Sequence, residues 1–491
     1  MKIDRACRVK RMTFRFRSER KNSPLFEKRF PKIYKRSWVP IAVLLGFCFI
    51  FYFPILGRWE LRGHDEVRYT QVAREIAERG DWISLHLNGR PYWEKPPLFF
   101  WMITFSSYLW QGFSSFSARF PSAFFGTLTV LLTFFMGKGF YGSSTGLLSG
   151  LILATSLGFA RFSTQAHPDM TLTFFTTASL FCFLQWYRRT QEGSETRKGM
   201  ERLFLFGFYV SMALATLTKG PVGFLAPLMV SLVWLLIQKE FKVIKGMSLL
   251  QGMVLLVAIV LSWYLSAVYK GGEAYLRATL SRPIGYYLSG LEHAKPIYFY
   301  FGTFPADFLP WFFFLPGAMI YGIRNKPSGD RKGFPFLLTW FLLSFLFFSL
   351  SATKRGKYLL FLFPAAPLMV GKLWGDLVSN RVERLRRYWV DLPLYGFLGL
   401  ALVAAAIIYG VASKRFPPYF PYTLLVTLFI VGSSVASFFL YRLKRYRVSF
   451  FLLVGMAAVA FFYTENFLFY LDSQLRSGGF ILRLLRAEIG L

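Results

Sequence analysis

The sequence has few charged residues for its length. Only 17% of its 491 residues are charged, whereas 54% are hydrophobic and 20% are aromatic. A soluble chain normally carries about 25% charged residues, so this shortage excludes a soluble multidomain protein. Apolar runs of near-spanning length recur along the chain, and the alternating segments of about ten residues that characterise an outer-membrane barrel are absent. The composition predicts an all-α polytopic membrane protein.

Acidic residues and cysteines are also scarce. The 25 Asp and Glu residues face 58 Lys and Arg residues, which gives a formal net charge of +33. Most of this excess lies beside apolar runs, which indicates membrane topology and contact with anionic lipid headgroups, so we expect no nucleic-acid partner. The three cysteines, Cys7, Cys48 and Cys182, form no pattern, so they imply no disulfide framework and no metal cluster.

Thirteen apolar runs are predicted to span the membrane. A fourteenth run, 97–112, is short and follows Pro96, so we interpret it as an interfacial or re-entrant segment. The predicted spans lie near residues 38–57, 119–139, 145–161, 171–188, 203–218, 221–238, 247–269, 300–323, 334–351, 358–375, 393–412, 421–441 and 448–470.

The distribution of basic residues predicts which loops face the cytoplasm. Residues 1–37 carry 14 Lys and Arg against three acids, and we interpret them as an uncleaved cytoplasmic tail. This tail and five loops hold 34 of the 58 basic residues; the loops lie near 188–202, 239–245, 324–332, 381–387 and 442–447. The outer face then carries the C-terminal tail and residues 58–118, 162–170, 219–220, 270–299, 353–357 and 413–420.

The first outer loop contains two polar motifs separated by an amphipathic segment. Its apolar residues follow helical spacing, which predicts an interfacial helix ending at Gly80; they are Tyr69, Val72, Ala73, Ile76 and Ala77. Asp65 and Arg68 lie one turn apart near its start and can face the same cavity. Taken alone, Asp65 is also consistent with a helix N-cap. The neighbouring residues Glu94 and Lys95 are likewise consistent with an ordinary surface ion pair.

Together, the runs "DEVRYTQVAREIAERGDWI" and "PYWEKPPLFFW" resemble the first-loop signature of bacterial polyprenyl-phosphate-sugar glycosyltransferases of the GT-C type. This group, glycosyltransferase family 39, includes the lipid A aminoarabinose transferases and is related to the protein O-mannosyltransferases. The resemblance is densest over 55–225 and continues more weakly to 375. It implies a GT-C catalytic transmembrane module over 38–375, with C-terminal transmembrane helices and a short outer tail over 376–491.

The resemblance implies roles for matching residues. Asp65 and Asp169 match catalytic acids, and Arg119 matches a position where we expect a structural role. The positions that match the donor-phosphate ligands are Arg68, Tyr92, Lys95, Lys219, Lys354 and Tyr358.

Physical chemistry supports the basic positions independently. Lys219 and the segment 354–357 place cations at span ends on the outer face, where a bound phosphate accounts for them and snorkelling to anionic lipid is the alternative. Asp169 follows Pro168 and opens a helix, so favourable placement at the helix dipole is its alternative reading.

A divalent metal ion is left open as a cofactor, and no other cofactor is expected. In some lipid A aminoarabinose transferases, a histidine of a Glu-His pair in the middle loop shares a metal with the first-loop glutamate, which corresponds here to Glu94. No such pair occurs over 275–283, and His293 lies further on as a candidate for metal or substrate contact. His64 and His167 each adjoin a candidate acid and can complete such a site.

The predicted function is inverting transfer of a sugar from a polyprenyl (undecaprenyl) phosphate carrier to lipid A or lipopolysaccharide at the outer, periplasmic face of the bacterial inner membrane. Asp65 would act as a general base towards a hydroxyl acceptor and would orient a phosphate acceptor. The alternatives are transfer to protein hydroxyls, as in protein O-mannosyltransferases, and a flippase for the same lipids. Aminoarabinose transferases usually carry an outer C-terminal domain that this sequence lacks, which weakens the expectation of lipid A but not of the reaction class.

Overall fold

The computed structural model describes residues 38–192, 198–289, 294–324, 332–380, 388–415 and 420–476. Within these ranges the chain is almost entirely helical, and its only sheet is a short hairpin of strands β1 (His86–Leu87) and β2 (Arg90–Pro91). The basic tail 1–37, with Cys7, and the candidate His293 lie outside the described residues.

The helices follow the apolar runs of the sequence. They are α1 (Val39–Leu56), α2 (Gly63–Arg79), α3 (Leu98–Leu109), α4 (Ser115–Tyr141), α5 (Ser143–Ala154), α6 (Leu157–Ser163), α7 (Pro168–Glu192), α8 (Lys198–Lys219), α9 (Val222–Ile237), α10 (Phe241–Gly246), α11 (Leu249–Ser289, kinked at Gly272), α12 (Phe299–Asp307), α13 (Leu315–Arg324), α14 (Gly333–Leu350), α15 (Ala365–Val378), α16 (Tyr388–Arg415), α17 (Phe420–Arg442) and α18 (Tyr446–Arg476). Short 3₁₀ segments lie at Trp311–Phe314 and Gly356–Leu362.

All thirteen predicted spans correspond to a helix or a bent pair of helices in the described chain. Seven helices are long and apolar enough to cross a membrane, and three pairs bent by 70°, 110° and 55° raise that number to ten. The other three runs form α7, α9 and α16, so the number thirteen stays a prediction. The polytopic helical architecture is confirmed.

The first outer loop folds as a compact unit on the ends of the membrane helices. Four of the five residues in the apolar stripe of α2 are buried and Ala77 is partly buried. Gly80 ends the helix, as predicted, in the left-handed conformation that glycine adopts readily. An Asn88-Gly89 turn with positive φ at both residues then closes the hairpin β1–β2. Helix α3 has 12 residues, and at about 1.5 Å per residue it is too short to cross the bilayer core. This length agrees with its interpretation as an interfacial segment.

Loops predicted to share a face meet in the structure. The first outer loop contacts the 353–357 loop through Asp65 and Lys357, 2.9 Å apart. At the opposite end, Lys332 lies 2.6 Å from Glu240, which also accepts a hydrogen bond from Gln191. These contacts agree with the division of the loops between two membrane faces.

Candidate active site

Asp65 lies in the first turn of α2 and contacts three cations. Its Oδ1 lies 2.7 Å from Arg68 Nη2, and its Oδ2 lies 2.9 Å from Lys357 Nζ and 3.6 Å from Arg355 Nη1. Arg62, not Asp65, is the N-cap residue of α2, and it makes no side-chain cap hydrogen bond. The N-cap interpretation of Asp65 is therefore wrong, since its carboxylate pairs with cations.

The surrounding charges keep the Asp65 carboxyl ionised. Burial raises its pKa, but the nearby Lys357 ammonium, assisted by Lys95, outweighs burial and holds the pKa of Asp65 well below its usual range. His167 lies beside this pair, with Nδ1 3.5 Å from Lys357 Nζ. Burial and the Lys357 charge lower the pKa of His167 to about 4, so the imidazole is neutral at pH 7.

Lys95 is brought to the site by the chain segment that follows the hairpin. Its Nζ donates a hydrogen bond to the Tyr69 hydroxyl and lies 4.1 Å from the centre of the Tyr69 ring. Burial, together with the charges of Lys219 and Lys357, lowers the pKa of Lys95 to about 7. Tyr92 is buried nearby, with its ring edge-on to Phe100.

Asp169 and Lys219 form a second charged pair. Asp169 lies in the first turn of α7 and Lys219 ends α8, so both lie at the outer ends of adjacent helices, where their side chains form an ion pair. The Lys219 ammonium lies 4.3 Å from the centre of the Tyr358 ring. Asp169 is only 1% exposed, and its Oδ2 has no hydrogen-bond partner in the described chain. A buried carboxylate oxygen without a hydrogen-bond partner favours a hydrogen bond from an N–H or O–H group of a ligand.

Lys354 is placed differently from the other predicted phosphate ligands. Its Nζ donates to the carbonyl oxygens of Ser351 and Lys295, the latter at 2.9 Å, and its side chain is buried. Arg355 and Lys357 instead face Asp65. Sequence reasoning noted those two cations only as part of the 354–357 group, because position along a loop does not reveal which side chains point inward.

The sequence analysis also missed the role of Glu66. This buried carboxylate accepts two hydrogen bonds from Arg119, at 3.0 and 2.8 Å, and one each from the backbone N–H groups of Arg62 and Ala166, both at 2.7 Å. Arg119 also donates to the carbonyl oxygens of Leu56, Trp59 and Glu60. Arg119 therefore has the structural role expected of it, and the pair fixes the start of α2 against α4.

A pocket of about 510 Å³ opens beside Asp65. It is bordered by residues from the first outer loop, the 162–170 loop and the 353–357 loop, namely Arg62, Gly63, His64, Asp65, Arg68, His167 and Arg355. Three of these seven residues are arginines, so the pocket suits an anionic group.

The described residues do not group into a metal site. In the part of the chain that the structure describes, no three His, Cys, Asp or Glu side chains are grouped to hold a metal ion. The Glu94 carboxylate lies 3.0 Å from Arg68 Nη1, and the Asp65 carboxylate pairs with cations. The part of the metal prediction that involves His293 lies outside the described residues.

Comparison with known proteins identifies the family. A family model described as dolichyl-phosphate-mannose-protein mannosyltransferase matches residues 41–271. The undecaprenyl phosphate-alpha-4-amino-4-deoxy-L-arabinose arabinosyl transferase of Pseudomonas paraeruginosa is 30% identical over 414 residues, which cover 82% of this chain and 71% of the relative. The chain belongs to this family of GT-C arabinosyl transferases. The resemblance carried by the first-loop motifs is thereby confirmed.

Solved structures support the same fold. The crystal structure of ArnT from Cupriavidus metallidurans in the apo state matches with a TM-score of 0.72 and 20% identity, covering 87% of this chain and 77% of that one. The structure of the same protein bound to undecaprenyl phosphate matches with a TM-score of 0.71, covering 86% and 76%. The arabinosyl transferase of Pectobacterium atrosepticum is 30% identical over 74% of this chain, which spans only 65% of that relative's length.

Proposed function

We propose that this member of the arabinosyl transferase family transfers a sugar from a polyprenyl phosphate carrier, such as undecaprenyl phosphate, to lipid A. The reaction would occur at the outer face of the bacterial inner membrane, with inversion at the anomeric carbon. The observation that carries this proposal is the convergence of five cations and two carboxylates from four outer loops; they are Arg68, Lys95, Lys219, Arg355, Lys357, Asp65 and Asp169. The names of the relatives support the carrier and the sugar class.

The proposed displacement uses these cations to stabilise the leaving phosphate. An acceptor oxygen attacks the anomeric carbon while the bond from that carbon to the phosphate oxygen breaks, and the phosphate keeps the electron pair. Lys95 and Lys219, with Arg68 beside them, would stabilise the charge that develops on that oxygen. The unpartnered Oδ2 of Asp169 would accept a hydrogen bond from a hydroxyl or amino group of the donor sugar.

The environment of Asp65 favours a phosphate acceptor over a hydroxyl. A carboxylate paired with Arg68, Lys357 and Arg355 has a low pKa and is a weak general base. A phosphate acceptor is already ionised at pH 7 and needs no base. Asp65 would then orient the cations, and transfer to protein hydroxyls becomes the second candidate.

The test is sugar transfer by purified protein in nanodiscs. A panel of polyprenyl-phosphate sugars is offered with lipid A or a hydroxyl peptide, and Lys95→Ala serves as the inactive control. We expect transfer to lipid A by the unmodified protein only. Transfer to the peptide alone would favour the second candidate, and lipid movement across the bilayer without transfer would favour a flippase.

The substitution Asp65→Asn tests whether this carboxylate takes part in sugar transfer. The substitution leaves three cations without their shared carboxylate, so we expect the turnover number to fall about 100-fold, as when a preorganised charge is removed from a site. Donor binding, measured by a fluorescent or radiolabelled carrier lipid, should largely survive. Unchanged turnover would contradict a role for Asp65 in transfer.

A further inference from the structure

The outer wall of the pocket includes a contact with the last described helix. Arg62 lines the pocket, and its Nη1 lies 3.4 Å from Glu465 Oε2 in α18, while its Nη2 donates to the Glu465 carbonyl at 3.5 Å. Glu465 is only 6% exposed. A buried carboxylate needs a charged partner, and Arg62 supplies one. This contact joins residues 403 positions apart.

The backbone at Arg62 is held as well. Its N–H donates to Glu66 Oε2 at 2.7 Å, and Glu66 is in turn held by Arg119. The position of the Arg62 backbone is therefore set by the first outer loop, while the direction of its guanidinium is set by α18. Arg62, held in this way at both its backbone and its side chain, lines the pocket.

The cations around Asp65 divide into two groups. Three arginines line the pocket, Arg62, Arg68 and Arg355. Arg68 also contacts the Tyr69 ring that Lys95 contacts, so it borders both groups. Lys95 and Lys219 are not part of that lining and contact Tyr69, Tyr358 and Asp169 instead.

Taken together, the two groups carry more positive than negative charge. Among the described residues, the three pocket arginines with Lys357, Lys95 and Lys219 make six cations against four carboxylates, Asp65, Glu94, Glu465 and Asp169. This excess favours the binding of anionic groups. Displacement of a phosphate by a phosphate acceptor brings two such groups to the site, the nucleophile and the leaving group.

We propose that Arg62, oriented by Glu465, binds the anionic group of the acceptor and thereby determines acceptor specificity. The ligand class is a sugar-linked phosphomonoester, because a guanidinium fork matches phosphate oxygens in geometry and charge. This inference rests on the proposed transferase function. It assigns α18, which lies beyond residues 41–271, a part in acceptor selection.

The first test is Arg62→Gln, assayed with lipid A as the acceptor; the same lipid stripped of its phosphates is the blank and should accept no sugar. Loss of a charge-assisted contact should raise the KM for phosphorylated lipid A about tenfold or more, while the KM for the donor stays unchanged. N-acetylglucosamine 1-phosphate should compete with lipid A in the unmodified protein and lose this effect in the variant. Arg74→Gln is the matched control, since Arg74 is an exposed arginine on α2, the helix that follows Arg62, and does not line the pocket.

The second test separates positioning by Glu465 from simple stability. Glu465→Gln should raise the acceptor KM less than Arg62→Gln does, and adding it to Arg62→Gln should have no further effect, because Glu465 acts through Arg62. Additive effects would overturn the positioning role. If Arg62→Gln does not give monodisperse protein, Arg62→Lys replaces it, because lysine keeps the positive charge but lacks the planar set of guanidinium N–H donors. This variant should raise the KM for the acceptor and leave the KM for the donor unchanged.

Two failures are distinguishable. Normal transfer with an unchanged acceptor KM in the Arg62 variants would overturn this inference and leave the proposed function intact. Absence of transfer by the unmodified protein with every donor and acceptor would overturn the proposed function itself.

Discussion

Asp65 is the residue on which three cations of the site meet. Its contacts with Arg68, Arg355 and Lys357 join two loops that are almost 300 residues apart in the chain, with a separation of 292 between Asp65 and Lys357. A single carboxylate neutralises only part of this charge. The remainder favours an anionic ligand, and the three cations account for the weak basicity of the Asp65 carboxylate.

Under the proposed function, we expect Lys95 to make the use of the donor sensitive to pH. Its pKa is lowered to about 7 by burial and by neighbouring lysines, so the ammonium is charged below that pH and is lost as the pH rises through it. We therefore expect kcat/KM for the donor to fall above about pH 7, because the neutral amine attracts phosphate less strongly. A bound phosphate favours the charged form, so the decline in kcat should lie at higher pH.

The measurement is the pH profile of both kinetic parameters, with Lys95→Arg as the comparison. Arginine stays charged over this range, so any activity retained by that variant should lack the decline near pH 7. A decline at the same pH in Lys95→Arg would assign the titration to another group.

At the scale of elements, α2 positions the chain segment that carries Tyr92 and Lys95. The Glu75 carboxylate of α2 accepts hydrogen bonds from the backbone N–H groups of Asn88 and Gly89, the latter at 3.1 Å. The turn of the hairpin β1–β2 is therefore tied to α2, which fixes where the following residues enter the site.

Glu75→Ala should loosen this hairpin. Losing the acceptor for two backbone N–H groups should cost about 1–3 kcal/mol of stability, and we expect the donor KM to rise because Lys95 becomes less well positioned. The check is thermal unfolding in detergent together with donor kinetics. Glu78→Ala, on an exposed residue of the same helix, is the control. A loss of stability with an unchanged donor KM would contradict the positioning role.

At the scale of the whole molecule, charged residues concentrate at two opposite ends of the helices. The site lies at one end, and the cluster of Glu240, Lys332 and Gln191 lies at the other. The C-terminal helices are also part of this body, since Phe461 of α18 packs against Phe51 of α1 with ring centres 5.0 Å apart. The predicted boundary at residue 375 therefore does not separate two independently packed units. The assignment of the catalytic module to residues 38–375 stays a prediction.

The orientation of the molecule in the membrane can be measured directly. We expect Glu78→Cys, in the first outer loop, to react with a membrane-impermeant thiol reagent in intact spheroplasts, and Lys242→Cys, in a predicted cytoplasmic loop, to react only after lysis. Both positions are exposed in the structure. The unmodified protein controls for the native cysteines, of which Cys48 is buried. The reverse labelling pattern would overturn the proposed periplasmic site.

The sequence alone determined the helical membrane architecture, the amphipathic helix α2 and the family, because hydropathy, helical periodicity and motif spacing are local properties. It also identified Asp65, Arg68, Lys95, Asp169, Lys219 and Tyr358, which the structure brings together.

Only the tertiary structure decided that Lys354 binds backbone carbonyls whereas Arg355 and Lys357 reach Asp65. It also decided that Glu66 holds Arg119 and that Glu465 meets Arg62, since these partners are 53 and 403 residues apart. Side-chain direction and long-range pairing depend on how the helices pack against each other. A pattern within one segment of the sequence does not determine this packing.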